Sequence, residues 1–166
     1  MPLNIKRFKI VKKITTFLAG LIIGVAATLL IISLILPKKM FVVEESKLNF
    51  EETVNAIVES AEDNDWTVSH IYDLQASLKK KNFDVAPINV ISLCNPPYAN
   101  KILGTDEDRM VSAMMPCRVA VYEKAGKTYI SMLNAELFAR FLSKNAKQTI
   151  IETSEETIEI FKPVIN

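Results

Sequence analysis

The sequence predicts an α+β protein in which one membrane-spanning helix precedes a β-α-β(4)-α domain with an antiparallel sheet packed on helices. Three observations predict it: a long uncharged apolar stretch near the N-terminus, short strand-like runs joined by turns, and amphipathic helical patterns before and after most of those runs. Strands that follow one another through short links favour antiparallel pairing, with the helices gathered on one face of the sheet.

The apolar stretch covers residues 14–36, which are 23 residues without a charge. A helix of that length spans about 35 Å, enough to cross a bilayer. A cleaved signal peptide is the alternative, but its apolar region is shorter and a small-x-small cleavage site follows it. Here Pro37-Lys38-Lys39 follows instead. We therefore expect a retained signal anchor.

Charge predicts the orientation of this anchor. Residues 1–36 contain five basic side chains and no acidic ones, and the rest of the chain contains 15 basic and 19 acidic side chains, a net charge of −4. The positive-inside rule then makes residues 1–13 a cytoplasmic N-terminus, residues 37–39 a linker, and residues 40–166 an extracytoplasmic domain on the cell membrane.

Gly20 and Gly24 form a G-x-x-x-G spacing inside the apolar stretch. Two small residues on one helix face allow a second membrane helix to approach closely, so a homodimer is one expectation. Alternatively, the two glycines reflect only the high frequency of glycine in membrane helices.

The first elements of the domain have clear local signals. Residues 40–45 read as a strand, and Asn49 with Glu52 forms a capping-box pattern at the start of an amphipathic helix. A second strand is expected over residues 66–73. Alternation places four of its side chains on one face: Trp66, Val68, His70 and Tyr72.

The later elements follow in the same way. Strands are expected over residues 86–94, 117–123 and 127–133, and Ala125-Gly126 joins the last two as a hairpin. Two helices are expected at the end of the chain. The first has an apolar face formed by Leu137, Phe138, Phe141 and Leu142. The second starts near Ser154, where Thr153 and Glu156 form another capping-box pattern.

Cys94 ends the third predicted strand and Cys117 begins the fourth, so antiparallel pairing makes the two neighbours. Three interpretations stay open. A disulfide suits an extracytoplasmic site and contributes about 3 kcal/mol. Two buried free thiols need no function. A redox or metal site would add Met114, Met115 or His70 as further ligands. Arg118 lowers the pKa of the neighbouring thiol or pairs with an acid such as Glu123.

Three segments carry a family resemblance: FEETVNAIVESAEDNDWTV, VISLCNPPYANKIL and MMPCRVAVYEKAGKTYISMLN. Within them, Phe50 with Thr53-Val54, Cys94-Asn95-Pro96 and Pro116-Cys117-Arg118 are the most specific. The chain resembles the domain of unknown function 302 family over roughly residues 40–160. Members of that family often have glycine before the tryptophan, where this chain has Asp65. The resemblance implies a curved antiparallel sheet around a long helix, a TATA-binding-protein-like arrangement, and a tendency to dimerise.

Several functions are excluded by what the sequence lacks. The acidic domain offers no cationic surface for nucleic acid. There is no G-x-S-x-G elbow, glycine-rich phosphate loop or haem attachment sequence, so we identify no catalytic residue and no cofactor that the sequence requires. We expect a non-enzymatic domain of the cell envelope that binds a small apolar ligand or a protein partner. The alternatives are a redox or metal accessory protein and a dimeric scaffold.

Overall fold

The computed structural model describes residues 3–165, with side chains from residue 12 onward, so the expected cytoplasmic segment 1–13 lies partly outside the described residues. The chain divides into two compact units, Met1–Lys39 and Met40–Asn166. The first unit is a single helix, α1, over Leu3–Lys39. Its segment Lys12–Lys39 is long and apolar enough to cross a membrane, a property that membrane anchors share with signal sequences. The expected linker 37–39 is the last part of this helix.

The second unit is a mixed α+β domain. Its five strands form one open antiparallel sheet in the order β1-β5-β4-β3-β2. The predicted α+β class and the antiparallel sheet are therefore confirmed. The elements are β1 Phe41–Glu45, α2 Phe50–Asp63, β2 Thr67–Asp73, α3 Leu74–Lys79, β3 Ile88–Cys94, α4 Pro96–Leu103, a 3₁₀ segment Arg109–Met114, β4 Cys117–Lys124, β5 Lys127–Leu133, α5 Ala135–Ala139 and α6 Lys144–Phe161.

Helix α2 begins and ends through local hydrogen bonds. The predicted capping box is confirmed, because Asn49 Oδ1 accepts from the Glu52 amide at 2.9 Å while a Glu52 carboxylate oxygen accepts from the Asn49 amide at 3.4 Å. At the other end Asp65 adopts a left-handed φ of 61°, and the Trp66 amide donates to the Ala61 carbonyl at 2.9 Å. This is a Schellman-type ending, whose left-handed position favours glycine.

The hairpin between β4 and β5 also has the predicted turn. Ala125 and Gly126 have φ values of 53° and 76°. A two-residue type I′ turn has positive φ at both central residues, and its twist matches the right-handed twist of the flanking strands. The register continues directly from this turn, with Lys124 opposite Lys127.

The main hydrophobic core lies between one face of the sheet and the helices α2 and α6. It buries Val54, Ile57 and Ala61 from α2, Ile91 and Leu93 from β3, Val119 and Val121 from β4, Ile130 from β5, Trp66, and Ile160, Phe161 and Val164 near the end of the chain. The Val164 carbonyl accepts from the Lys47 amide at 2.9 Å and from Ser46 Oγ at 3.2 Å. Residues near the end of the chain are thereby tied to the segment between β1 and α2.

A β-bulge in β2 overturns the expectation that Val68 and His70 share a face. Val68 lies opposite Leu93, whereas His70 lies opposite Ser92, the next residue of β3. An extra residue on one strand shifts its alternation by one position. Val68 consequently packs on the core with Leu93, while His70 and Tyr72 lie on the other face.

The C-terminal helices also differ from the sequence prediction. The last helix starts at Lys144 rather than near Ser154, with Ser143 as its cap: Ser143 Oγ accepts from the Ala146 amide at 3.0 Å. Thr153 and Glu156 lie inside this helix, so their capping-box spacing is coincidental. Phe141, expected on an apolar face, is 87% exposed because α5 ends at Ala139 and Phe141 falls in the turn before α6.

Candidate ligand-binding pocket

A cavity of about 100 Å³ lies between the core-facing side of the sheet and the helical segments that follow β3. Its wall comes from β3, α4, the 3₁₀ segment, the starts of β4 and α5, the end of β5, and α6. The lining residues are Trp66, Leu93, Cys94, Asn95, Tyr98, Ala99, Ile102, Val111, Met114, Met115, Pro116, Cys117, Arg118, Val119, Met132, Leu133, Ala135, Ile150, Thr153, Ser154 and Thr157. Most of this wall is apolar.

The cavity lies where two hydrophobic clusters meet. One is the main core, and it contributes Leu93 and Val119 to the wall. The second cluster packs α4, the 3₁₀ segment, α5 and α6 together, and it contributes Val111 and Ile150. Protein interiors are normally filled to crystal-like density, so a void at such a junction marks a place where the two clusters do not close on each other.

Hydrogen bonds hold α4 against α6 beside the cavity. Tyr98 Oη donates to Glu156 Oε1 at 2.6 Å, and Trp66 Nε1 donates to the other carboxylate oxygen at 3.0 Å. The hydrogen bond to Glu156 raises the pKa of Tyr98 to about 12. One turn along α4, Lys101 forms an ion pair with Glu152 at 2.9 Å. These contacts fix one wall of the cavity.

The segment between α4 and the 3₁₀ segment is anchored through Asp108, which is 4% exposed. Its Oδ2 accepts from Asn145 Nδ2 at 2.8 Å and from Thr105 Oγ1 at 3.1 Å. Hydrogen bonds from Ser143, Asn145 and Thr105 lower the pKa of Asp108. In the structure its buried carboxylate connects the 3₁₀ segment to the first turn of α6.

Three hydroxyl groups of α6 line the cavity, and two of them donate hydrogen bonds within the helix. Thr153 Oγ1 donates to the Ile150 carbonyl at 2.9 Å, and Thr157 Oγ1 donates to the Thr153 carbonyl at 2.7 Å. The Ser154 hydroxyl has no hydrogen-bond partner within residues 3–165, although the residue is only 7% exposed. No sequence pattern distinguishes Ser154 from its neighbours, which is why sequence reasoning missed it.

Both cysteines line this cavity as free thiols. The residue directly opposite Cys117 is Leu93, so Cys94 lies one position further along β3. Burial raises the pKa of the Cys117 thiol, and nearby Cys94 adds to that effect. A raised pKa keeps Cys117 in the thiol form, which is the less reactive form. The disulfide interpretation stays a prediction.

The proposed soft ligands divide between the two sides of the sheet. Met114 and Met115 line the same cavity as the two cysteines. His70 lies beyond the bulge, with its ring centroid 4.3 Å from that of Tyr72, and it does not line the cavity. In the part of the chain with described side chains, no group of three His, Cys, Asp or Glu residues could hold a metal ion. Any metal there would depend on the sulfur atoms of the cavity wall, to which Met132 also contributes.

Arg118 lines the cavity but forms no ion pair with any residue from 12 to 165, so the expected pairing with Glu123 is not found. Its register partner on β3 is Ser92. Since neighbouring residues of a strand point to opposite faces, the Arg118 side chain lies on the face opposite Cys117. Arg118 therefore adds no charge to the apolar interior of the cavity.

Comparison with known proteins places this geometry in a family. The sequence profile of the domain of unknown function DUF302 matches residues 41–162. A crystal structure described as an uncharacterized conserved protein DUF302 from Bacillus stearothermophilus superimposes with a TM-score of 0.67 at 20% identity, covering 73% of this chain and 94% of that one. At that identity the likeness shows the fold alone. No curated protein matches the sequence.

Proposed function

The chain belongs to the DUF302 family, whose name states no activity. From the cavity we propose that its domain is a non-enzymatic module that binds a small apolar ligand. The single observation that supports this function is the cavity of about 100 Å³ between the sheet and α4, the 3₁₀ segment and α6. Ligand sites are typically concave and mostly apolar, with a few polar groups that orient the ligand.

The absence of a catalytic arrangement on the cavity wall agrees with binding rather than catalysis. The wall has no histidine or carboxylate that could serve as a general base for its hydroxyl and thiol groups. The Tyr98 hydroxyl is already engaged with Glu156 at 2.6 Å, and its raised pKa makes it a weak proton donor at neutral pH. The chemistry left to this wall is apolar contact and hydrogen bonding.

We extend the proposal to location: α1 anchors the domain in the cell membrane, and the domain lies outside the cytoplasm. The apolar segment Lys12–Lys39 and the basic residues before it support this orientation. The test uses a background in which Cys94 and Cys117 are serine. A membrane-impermeant maleimide added to intact cells should label an Asp84→Cys variant and leave a Lys6→Cys variant unlabelled. The opposite pattern would reverse the orientation.

Native mass spectrometry of the full chain, released from lipid nanodiscs, tests the ligand-binding function. We expect mass beyond that of the polypeptide, lost on denaturation. Ala99→Leu adds side-chain volume on the cavity wall and should abolish the extra mass, whereas Ala76→Leu, on the exposed surface of α3, should leave it unchanged. A bare polypeptide whose melting temperature no small apolar compound raises would refute the function.

A second candidate function is binding of a soft metal ion such as Cu(I). The observation that favours it is that Cys94, Cys117, Met114 and Met115 all line one cavity. Thiolate and thioether sulfur atoms select soft ions. Binding would require the loss of the Cys117 thiol proton, which burial opposes.

The metal content of the full chain, purified without chelator, separates the two functions. If the metal function holds, Cys117→Ser and Met114→Leu should each lower the metal content, while Met110→Leu, a control at a 72% exposed methionine, should not. Equal metal content in all four proteins would eliminate this function and leave ligand binding.

A homodimer that pairs through α1 remains a proposal alongside both functions, as does an envelope protein as partner. Gly20 and Gly24 are four residues apart on α1, and two small residues on one helix face let a second helix approach closely. Gly24→Leu should reduce the dimer fraction in nanodiscs, and Ala26→Leu, on the opposite face of the helix, is the matched control. A wild-type protein that is monomeric in nanodiscs would eliminate the scaffold hypothesis.

A further inference from the structure

We propose that the cavity takes a neutral, compact molecule of about four to six non-hydrogen atoms, with one hydrogen-bonding group that meets the Ser154 hydroxyl. The inference rests on the proposed ligand-binding function and specifies the ligand that this function requires. Three properties of the wall support it: the unpartnered hydroxyl, the cavity volume, and the lack of an inward-facing charge.

The first step concerns why Ser154 has no partner. A serine inside a helix usually satisfies its hydroxyl by donating to the carbonyl one turn earlier, which for Ser154 is the carbonyl of Ile150. Thr153 Oγ1 already donates to that carbonyl at 2.9 Å. The Ser154 hydroxyl is thus left without a partner at a position that is only 7% exposed and on the cavity wall.

A group that enters the cavity and bonds to this hydroxyl forms a hydrogen bond that no described residue supplies, so its affinity rises. Buried water typically makes two to four hydrogen bonds, and a mostly apolar wall offers it few partners. The other two α6 hydroxyls on the wall are engaged within the helix, and the Tyr98 hydroxyl is engaged with Glu156. A molecule with an apolar body and a single polar group suits this wall better than water does.

The volume limits the size of the ligand. An engineered apolar cavity of about 150 Å³ holds benzene, which has six non-hydrogen atoms. The cavity of about 100 Å³ is smaller. It therefore fits a short alcohol, a ketone or a small ring, and it excludes acyl chains and larger aromatic systems from full burial.

The charge of the ligand follows from the lining residues. Arg118 is the one charged residue among them, and strand alternation directs its side chain to the other face of the sheet. An ionised carboxylate or amine would consequently be buried without a compensating charge, which is strongly unfavourable. The ligand that this cavity selects is neutral.

The experiment uses the full chain in lipid nanodiscs with ¹³C-labelled methionine methyl groups, titrated with cyclopentanol, cyclopentane or butanoate. Methyl signals of Met114, Met115 and Met132, which line the cavity, should shift with cyclopentanol. The signal of Met110, 72% exposed and away from the wall, should not shift. Butanoate should bind at least tenfold more weakly than cyclopentanol.

Two variants isolate the hydroxyl. Ser154→Ala, which favours the helix, should weaken cyclopentanol binding about fivefold and leave cyclopentane binding unchanged. Ser77→Ala removes a serine hydroxyl on the exposed surface of α3, away from the cavity, and should change neither affinity. Unchanged methionine spectra of the free variants would show that the fold is intact.

The outcomes separate the two levels of the proposal. If Ser154→Ala leaves cyclopentanol affinity unchanged while the cavity methyls still shift, the role of Ser154 is wrong and ligand binding stands. Tighter binding of butanoate than of cyclopentanol would overturn the inference that the ligand is neutral. If no probe shifts the three cavity methyls, the proposed function itself fails.

Discussion

The hydroxyl of Tyr98 donates to the carboxylate of Glu156 at 2.6 Å, and this bond joins α4 to α6 along the wall of the cavity. The two residues are 58 positions apart in the chain. Glu156 also accepts from the indole of Trp66, a core residue that is 3% exposed. One carboxylate on α6 therefore connects α4 with the end of the α2–β2 turn.

Removal of the Tyr98 hydroxyl should loosen this wall. We expect Tyr98→Phe to lower the free energy of unfolding by about 1 kcal/mol, because a carboxylate loses one of its donors. Tyr122→Phe is the control, since the Tyr122 hydroxyl has no hydrogen bond in the described part of the chain. Urea denaturation of both variants measures the difference. Equal losses in the two variants would contradict a specific role for Tyr98.

The raised pKa of Tyr98 predicts a change in stability with alkaline pH. The folded state holds this proton up to a pKa of about 12, against an ordinary value of 10.0. Between those values the folded state binds more protons than the unfolded state, so stability is fully present below pH 10 and falls as pH rises toward 12. Denaturation midpoints from pH 9 to 12 should fall less steeply for Tyr98→Phe than for the wild type.

The lowered pKa of Asp108 predicts that the stability of the domain falls as pH decreases in the acid range. Hydrogen bonds from Ser143, Asn145 and Thr105 lower its pKa below the ordinary 3.8, so its contribution is present above that value and is lost as pH falls through the folded-state pKa. We expect Asp108→Asn to be less stable than the wild type at neutral pH and to lose less stability below pH 4. Asp106→Asn, at an exposed residue paired with Arg109, is the control for urea midpoints between pH 3 and 7.

Asp65 predicts a stabilising substitution. Its φ of 61° is in the left-handed region, where glycine is unstrained and aspartate is tolerated. We expect Asp65→Gly to raise the free energy of unfolding by about 0.5–1 kcal/mol, since glycine fits the helix-ending position. Asp63→Gly, at the last residue of α2, should lower it by a similar amount. A loss of stability in Asp65→Gly would show that the aspartate side chain itself stabilises the turn.

The two thiols should differ in reactivity under reducing conditions. Burial raises the pKa of Cys117, so we expect iodoacetamide at pH 8 to modify it more slowly than Cys94. Peptide mapping by mass spectrometry gives both rates. Cys117 should remain slow in a Cys94→Ser variant, because burial is the larger cause. If neither thiol of the untreated protein reacts until a reductant is added, the two form the disulfide that the sequence suggested.

Short-range signals predicted much of this fold. The Asn49–Glu52 box and the Ala125-Gly126 turn depend on residues within one turn of each other, so their geometry follows directly from residue type. The bulge in β2 depends on how that strand meets β3, which alternation within one strand does not encode. The predicted shared face of Val68 and His70 is therefore wrong.

The cavity, too, depends on contacts between distant segments, which local sequence patterns do not predict. Thr153 and Glu156 have the spacing of a helix start, yet Glu156 accepts hydrogen bonds from Tyr98 and Trp66, which are 58 and 90 positions away. The cysteine and methionine neighbourhood was predictable because two strand ends had to meet. The Ser154 hydroxyl lacks a partner because Thr153 bonds to the Ile150 carbonyl, and it faces a cavity because of how other elements pack. Residue type alone predicts neither.

The bonds between Val164 and the Ser46–Lys47 segment bear on how the protein is made. They join residues about 118 positions apart, and the same end of the chain supplies Ile160 and Phe161 to the core. A ribosome delivers β1 and α2 long before it delivers α6. During that interval Val54 and Ile57 have no completed core to cover them, so their apolar side chains stay exposed until α6 is made. A premature stop within α6 should therefore yield protein that quality-control proteases remove.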